Sequence, residues 1–266
     1  MKNIALIFAG GVGNRMGASI PKQFLEVSNK PIIIHTLELF EVNENIDEIY
    51  IGCIEEYIPD LKEMIKRFNV NKIKRIYSGG DSGQDTIFRG LCAIKEDLEE
   101  GEDAIVLIHD GVRPLVNQET IDSVVRDASE YGSSITVTPA FETPLISYDG
   151  ERVAEMPERK YVYTAQAPQA FHLDDIISWH LNEREQKGQD AYSTIVDSCG
   201  LAMANGVSPH LTVGNRGNIK VTTNEDFLTL VSNNLARDFG KFMELEEVKK
   251  KRNNGVQKKL GTYPKN

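Results

Sequence analysis

The sequence predicts an α/β protein with a mostly parallel sheet and helices on both faces. Three observations carry this prediction. Continuous apolar runs such as IALIFAG (residues 4–10) and DAIVLIHDG (103–111) are typical of strands buried on both sides. Segments with the apolar spacing of amphipathic helices separate these runs. Several strands also end in glycine or polar residues, at the edge where sheets of this class bind ligands.

Strands and helices alternate over the first 140 residues. Strands are predicted at residues 4–10, 46–54, 73–80, 103–111 and 133–140, and helices at 31–43, 57–69, 85–98 and 117–132. Pro31 is expected to begin the first helix, Asp85 to cap the third and Asn117 to open the fourth. This order places FAGG, SGGD and HDGVRP at strand ends, which predicts one shared site.

Residues 141–165 interrupt the alternation. Apolar and polar residues alternate there around Tyr148-Asp149-Gly150, which predicts a protruding β-hairpin arm. The pattern leaves two interpretations open: an arm for dimer contacts or for completing a site, or an edge hairpin with no further role. Helices are predicted next at residues 171–184, 195–206 and 224–239, and short strands at 208–214 and 218–222. We expect one domain over residues 1–239 and a charged, solvated tail over 240–266.

Composition excludes several classes of protein. The net charge of −10 argues against nucleic-acid binding, but it leaves an anionic small molecule open. Cys53, Cys92 and Cys199 form no CxxC pair, so neither a disulfide framework nor a zinc site is predicted. A reducing cytoplasm is the expected compartment. We expect neither secretion nor a membrane span, because the first residues have a strand pattern and no apolar run is long enough.

The stretch after the first strand predicts an anion site. Glycines leave backbone N–H groups accessible to an anion or a nucleobase, and Arg15 and Lys22 add two cations nearby. The NTPase phosphate loop requires G-x-x-x-x-G-K-[ST], but Gln23 follows Lys22 here. The dinucleotide fingerprint G-x-G-x-x-G fails where Met16 replaces its third glycine. We therefore expect this loop to hold a polyphosphate.

At this point the sequence resembles a known family. FAGGVGNRMGASIPKQF is similar to the signature of the CTP-dependent cytidylyltransferases that act on polyol phosphates, the group that includes the methylerythritol 4-phosphate and ribitol 5-phosphate enzymes. The likeness continues in the family's order through GGDSGQDT, IHDGVRP, ETP, PERKYVYTAQAPQAF, IVDSCG and NIKVTTNEDF, and covers roughly residues 1–235. The resemblance implies a Rossmann-like nucleotidyltransferase sheet over residues 1–239 and transfer of CMP from CTP to a polyol phosphate.

The resemblance also implies which residues bind the nucleotide. Arg15, Lys22 and Lys220 would be the catalytic cations, the first two on the triphosphate of CTP and Lys220 on its α-phosphate. The remaining nucleotide-binding residues would be Ala9, Gly10, Gly11, Gly13, Gly80, Asp81 and Thr86, the last three reading the cytosine. Lys220 is expected at the start of the predicted strand 218–222.

Acceptor and metal sites follow from the same resemblance. Asp110 and Arg113 would orient the acceptor, with Asp110 helping to hold Mg²⁺. Thr143 and Arg159 on the arm would bind the acceptor's phosphate in the site of a partner subunit, which implies a homodimer. His109 is interpreted as structural, because an ionised phosphate needs no base, and Asp197 as a cap or a support of the pocket floor.

Several alternatives stay open at this level. HDGVRP favours a pentitol phosphate such as ribitol 5-phosphate over the isoprenoid precursor methylerythritol 4-phosphate, although one position does not decide between CDP-ribitol synthesis for teichoic acid or capsule and isoprenoid synthesis. An NAD(P)-dependent dehydrogenase is a rival class that has no use for Lys22 or Lys220. A non-catalytic nucleotide-binding protein is another, although each expected cation and carboxylate is present.

Overall fold

The structure, a computed structural model, describes residues 1–11, 20–192 and 195–236. The strands are β1 (Lys2–Ala9), β2 (Glu26–Val27), β3 (Lys30–Pro31), β4 (Glu48–Cys53), β5 (Ile73–Ser78), β6 (Ala104–Asp110), β7 (Ser133–Pro139), β8 (Tyr163–His172) and β9 (His210–Val213). The helices are α1 (Ile32–Glu41), α2 (Ile58–Arg67), α3 (Gly83–Asp97), α4 (Gln118–Tyr131), α5 (Leu173–Tyr192), α6 (Ser198–Ala204) and α7 (residues 224–236). The predicted tail, residues 240–266, lies outside the described residues, as do Gly13 and Arg15.

A seven-stranded sheet forms the centre, with strand order β5-β4-β1-β6-β8-β7-β9. β5, β4, β1 and β6 pair in parallel, and β7 pairs in parallel with β9. β8 runs antiparallel to both of its neighbours, β6 and β7. The predicted mostly parallel α/β sheet is therefore confirmed, and its edge order brings the ends of β5, β4, β1 and β6 side by side.

Helices cover both faces of this sheet, as predicted. Alternate residues of β1 face opposite sides: Ala5 and Ile7 pack with α1, α2 and α4, whereas Ile4 and Leu6 pack with α3, α5 and α6. All four side chains are fully buried, which explains why the strand is a continuous apolar run. Among the described helices, none is long and apolar enough to cross a membrane.

Three local predictions were wrong. The helix cap before α3 is Ser82, whose hydroxyl accepts from the Asp85 backbone N–H at 3.1 Å, because the helix begins two residues earlier than the apolar spacing indicates. Residues 218–222 are irregular rather than a strand. The predicted helix over 195–206 shortens to α6, with Asp197 as its cap, as expected for that residue.

The arm and the strand that follows it also differ from the prediction. The arm contains one isolated antiparallel bridge, Ile146 with Glu155, instead of a full hairpin ladder. Its returning leg leads into β8, which enters the centre of the sheet and was not predicted as a core strand. The sequence does not predict β8, because Pro168 and the glutamines on either side of it interrupt the alternation of apolar and polar residues that is typical of a strand.

Candidate active site

Asp110 is the centre of the candidate site. β6 delivers this residue at the carboxyl edge of the sheet, where only 5% of it is exposed. Its Oδ1 lies 2.5 Å from Lys220 Nζ, and its Oδ2 accepts from Arg113 Nε at 2.8 Å. Residues more than a hundred positions apart in the chain therefore converge on one carboxylate. Sequence reasoning selected all three side chains, and the structure brings them together.

The two neighbouring cations keep the Asp110 carboxylate ionised. Burial by itself raises the pKa of the Asp110 carboxyl, but Lys220 and Arg113 outweigh burial and hold that pKa below its ordinary value. His109, the preceding residue, points into the fully buried core, and burial lowers its pKa to about 4. Its ring Nε2 pairs with the carbonyl oxygen of Arg113 at 3.1 Å. His109 is therefore neutral at pH 7, which agrees with the structural role predicted for it.

An irregular segment, not a strand, carries Lys220. Val221 donates its N–H to Val112 O at 2.9 Å. The Asn218 side chain donates to Ala167 O at 2.6 Å, and Asn218 O accepts from Arg113 at 2.9 Å. Asn218 is fully buried, so these contacts hold the segment against β8 and against the turn that follows β6, without a ladder. This explains why the pattern NIKVT, which has the composition of a strand, does not form one.

The start of the first glycine loop, residues 9–11, is held by a residue that the sequence reasoning missed. Gln23 is 1% exposed, and its side-chain amide donates to Ala9 O at 2.7 Å and to Gly11 O at 3.2 Å. Its neighbour Lys22 begins the same short 3-10 turn, so the backbone of residue 22 lies next to the residue that binds Ala9 and Gly11. A polar residue followed at once by the apolar Phe24 and Leu25 was the available signal. Its roles as donor and as buried residue become visible only in the fold.

The second glycine loop, residues 79–82, and the start of α3 pack against the start of the first loop. A Cβ on Gly10 would lie 3.0 Å from Thr86 Oγ1, so the two loops are in contact. Thr86 is 1% exposed, and its hydroxyl accepts from Gly80 N–H and donates to Ser82 O, each at 2.9 Å. Thr86 thus organises the loop from within, while Asp81 is exposed at its tip. The role predicted for these residues in reading cytosine stays a prediction.

A cavity of about 530 Å³ opens beside the Asp110 cluster. Its walls come from the β1 end, the second glycine loop, β6, β8 and the cap of α6. Asp110, Arg113 and Lys220 line one side. Asp197 lines another and accepts from the Gln169 side chain at 3.0 Å, so it supports the wall as well as capping α6. Two cations, Arg113 and Lys220, therefore share one concave surface, as a site for an anionic ligand requires.

The arm residues lie apart from this cavity. Thr143 and Arg159 are exposed, and neither is among the described residues that line the cavity of their own chain. Arg159 donates to Phe141 O at 3.1 Å, which ties the two legs of the arm together near its base. Any contact of Thr143 or Arg159 with a ligand in such a cavity therefore calls for a second subunit, or for a movement of the arm.

Asp110 does not fit a resident magnesium ion. Both of its oxygens already face cations, Lys220 and Arg113, and a third cation would have to displace one of them. Within the described ranges, no group of three or more carboxylates, histidines or cysteines forms a metal-binding cluster. The prediction that Asp110 ligates Mg²⁺ is therefore at odds with these contacts, and no step below uses it.

Comparison with known proteins identifies the family of this chain. Residues 3–232 match the family model described as IspD, 2-C-methyl-D-erythritol 4-phosphate cytidylyltransferase. The chain belongs to this family. It is thus an enzyme of the nucleotidyltransferase class, and the resemblance stated from its motifs is confirmed.

Relatives within the IspD family differ in their named acceptor. The ribitol-5-phosphate cytidylyltransferase of Vibrio parahaemolyticus is 44% identical over 226 residues, which cover 85% of this chain and 92% of that protein. The ribitol-5-phosphate cytidylyltransferase of Streptococcus agalactiae serotype V is 41% identical with the same coverage. The 2-C-methyl-D-erythritol 4-phosphate cytidylyltransferase of Clostridium botulinum strain Langeland is 35% identical, covering 85% of this chain and 95% of its own.

Solved structures of IspD-family proteins share the fold. The 4-diphosphocytidyl-2C-methyl-D-erythritol synthase of Anaerococcus prevotii has a TM-score of 0.74 and 26% identity, covering 87% of this chain and 96% of that one. The 2-C-methyl-D-erythritol 4-phosphate cytidylyltransferase of Thermus thermophilus has a TM-score of 0.67 and 25% identity, covering 89% and 100%.

Proposed function

We propose that this enzyme transfers CMP from CTP to ribitol 5-phosphate, giving CDP-ribitol and pyrophosphate. The observation that carries the reaction is the convergence of Lys220 and Arg113 on buried Asp110, beside two glycine loops and a cavity. The choice of acceptor is supported by the names of the relatives at 44% and 41% identity. The rival acceptor, methylerythritol 4-phosphate, is supported by the family's name and by the relative at 35% identity.

The chemistry requires cations and positioning. An oxygen of the acceptor's phosphate forms a bond to the α-phosphorus while the bond to the leaving pyrophosphate breaks, and negative charge grows on the α-phosphoryl oxygens and on the leaving pyrophosphate. Lys220, with its ammonium held by Asp110, is the group that we assign to the α-phosphoryl oxygens, and Arg15 and Lys22 are assigned to the triphosphate. The attacking oxygen is already ionised, so no base is needed, in agreement with the buried, neutral state of His109. Mg²⁺ is expected to arrive as part of the CTP substrate, bound to its phosphates.

A two-acceptor assay tests this proposal. The purified enzyme receives CTP and Mg²⁺ with either ribitol 5-phosphate or methylerythritol 4-phosphate, and pyrophosphate release is followed while the product is identified by mass spectrometry. We expect a mass matching CDP-ribitol and a kcat/KM at least about 100-fold higher for the ribitol substrate. A preference for methylerythritol 4-phosphate would overturn the assigned acceptor, and no turnover with CTP would overturn the assigned reaction.

We further propose a homodimer in which the arm of one subunit completes the site of the other. The arm exposes large apolar side chains, among them Tyr148 at 80%, Met156 at 70% and Tyr161 at 71%, and such a surface is typical of an interface. Thr143 and Arg159 would then reach the acceptor's phosphate in the partner's cavity.

We also propose that the enzyme is located in the reducing cytoplasm. Its cysteines, Cys53, Cys92 and Cys199, are free thiols, in keeping with that location.

Mixing two inactive variants tests the shared site. Lys220→Ala disables a subunit's own cavity and Arg159→Ala disables the arm that it lends, so a mixed dimer keeps one intact site. Co-expression of the two variants should restore about a quarter of wild-type turnover. Activity no higher than the sum of the two separate variants would show that the arm does not act between subunits, and a monomer in light scattering would exclude the dimer.

A further inference from the structure

Helix α5 contacts the first turn of α3, directly after the second glycine loop, through two side chains that have no role in the proposed reaction. Arg184 donates from its guanidinium to Asp85 Oδ1 at 2.7 Å. Tyr192 donates from its hydroxyl to the carbonyl oxygen of Gln84 at 3.2 Å. Both acceptors lie in the first turn of α3, directly after the loop. α5 therefore supports the residues that directly follow the loop, in addition to the hydrogen bonds that the loop makes within itself.

Arg184 is itself fixed in place. Its guanidinium carbon lies 4.1 Å from the ring centroid of Phe88 and 4.5 Å from that of Tyr192. Only 23% of the side chain is exposed. Cation–π contacts of this kind, combined with a charge-assisted hydrogen bond, restrict the guanidinium to one orientation. Arg184 is thus built as a rigid support rather than as a solvated surface cation.

Asp85 passes this constraint to the loop. Its second oxygen, Oδ2, accepts from the Asp81 backbone N–H at 3.3 Å and pairs with Arg89 at 3.0 Å. The same oxygen would lie 1.9 Å from a Cβ on Gly80, so the Gly80 backbone packs directly against the carboxylate. The position of Asp85 therefore decides where the backbone of residues 80 and 81 lies.

We propose that Arg184 is a positioning residue for nucleobase selection, acting through Asp85 on the Gly80–Asp81 backbone. This inference rests on the proposed function and on the prediction that the Gly80–Asp81 backbone reads the cytosine of CTP. Cytosine and uracil differ in one exocyclic group and in one ring position that either accepts or donates a hydrogen bond. Backbone groups distinguish the two bases only when they are held in place, because a mobile loop pairs with either.

Arg184→Gln tests the proposal, with Arg75→Gln as the matched control. Arg75 also pairs with carboxylates of α3, Glu96 at 2.9 Å and Asp97 at 3.4 Å, but at the far end of the helix from the loop. We expect Arg184→Gln to raise KM for CTP about tenfold and to lower the ratio of kcat/KM for CTP over UTP by about tenfold. KM for the acceptor should stay within about twofold, and Arg75→Gln should leave all three quantities near wild type.

Two more variants separate positioning from loss of folding. Arg184→Lys keeps the charge but loses the planar fork and the full stacking, so it should show a smaller fall in the CTP/UTP ratio, and it decides the matter alone if Arg184→Gln does not fold. Asp85→Asn combined with Arg184→Gln should be no less selective than the worse single variant. A wild-type CTP/UTP ratio in the folded Arg184 variants would overturn the inference. Failure of the wild-type enzyme to use CTP would instead overturn the proposed function.

Discussion

The contacts of Asp110 predict both the stability and the activity of Asp110→Asn. The substitution keeps the shape of the side chain but removes the charge that Lys220 and Arg113 share. Breaking one side of a buried ion pair costs about 3–5 kcal/mol. Lys220 is 41% exposed and can be hydrated instead, so we expect the free energy of unfolding at pH 7 to fall by about 2 kcal/mol. Turnover should fall about a hundredfold, because one cation then faces an NH2 donor instead of an acceptor and both lose the negative charge that orients them.

Urea unfolding as a function of pH provides the assay. The pKa of Asp110 lies below its ordinary value in the folded state, so the ion pairs stabilise the protein above the unfolded pKa, and this stabilisation is lost as pH falls through the folded pKa. The difference between wild type and Asp110→Asn should therefore be constant from pH 8 to about 5 and shrink at lower pH. The control Asp174→Asn, from an exposed pair with Lys95, should change stability by less than about 0.5 kcal/mol. Equal stability of Asp110→Asn and wild type at pH 7 would refute the reasoning.

Three further predictions concern the loops and the buried histidine. Gln23→Leu leaves two loop carbonyl oxygens without their hydrogen-bond donor. It should lower the free energy of unfolding by about 1–3 kcal/mol in urea titrations, and a smaller loss would mean that water replaces the amide. Gly80→Ala places a methyl group against Asp85 and should weaken CTP binding about tenfold or more by calorimetry, whereas Gly200→Ala in α6, whose Cβ would meet no described atom closer than 3.5 Å, should bind normally. His109, with a pKa of about 4, should remain neutral at pH 5.5 in NMR of labelled histidines, and a charged ring at that pH would contradict the burial argument.

The strand ends were predictable because local and global signals agree there. The apolar runs before FAGG and HDGVRP are both good strands and buried ones, and the partly buried β5 before SGGD lies at the edge of the same parallel sheet, which places all three strand ends on one side. Asp110 and Arg113 could therefore be selected without a structure. Their pairing with Lys220 could not be derived from spacing, because it depends on how the last part of the chain returns to the sheet.

The missed features depend on long-range contacts. Gln and Arg are residue types that usually lie on the surface, so nothing in the sequence marks Gln23 or Arg184. Only tertiary packing gives Gln23 its two carbonyl partners and Arg184 its two aromatic neighbours. The prediction of a strand at 218–222 was wrong because tertiary contacts override a local signal there. Its β-branched residues favour a strand, but buried Asn218 anchors the segment through side-chain bonds instead.

The reversed course of β8 has a consequence for protein engineering. Pro139 and Tyr163 are paired across β7 and β8, so residues 140–162 leave and re-enter the domain at neighbouring points. A segment attached in this way can be exchanged as a unit without shifting the strands that carry it. Chimeras that carry this segment from a relative would thus test its part in subunit association and acceptor choice, while the glycine loops and the Asp110 cluster keep their own sequence.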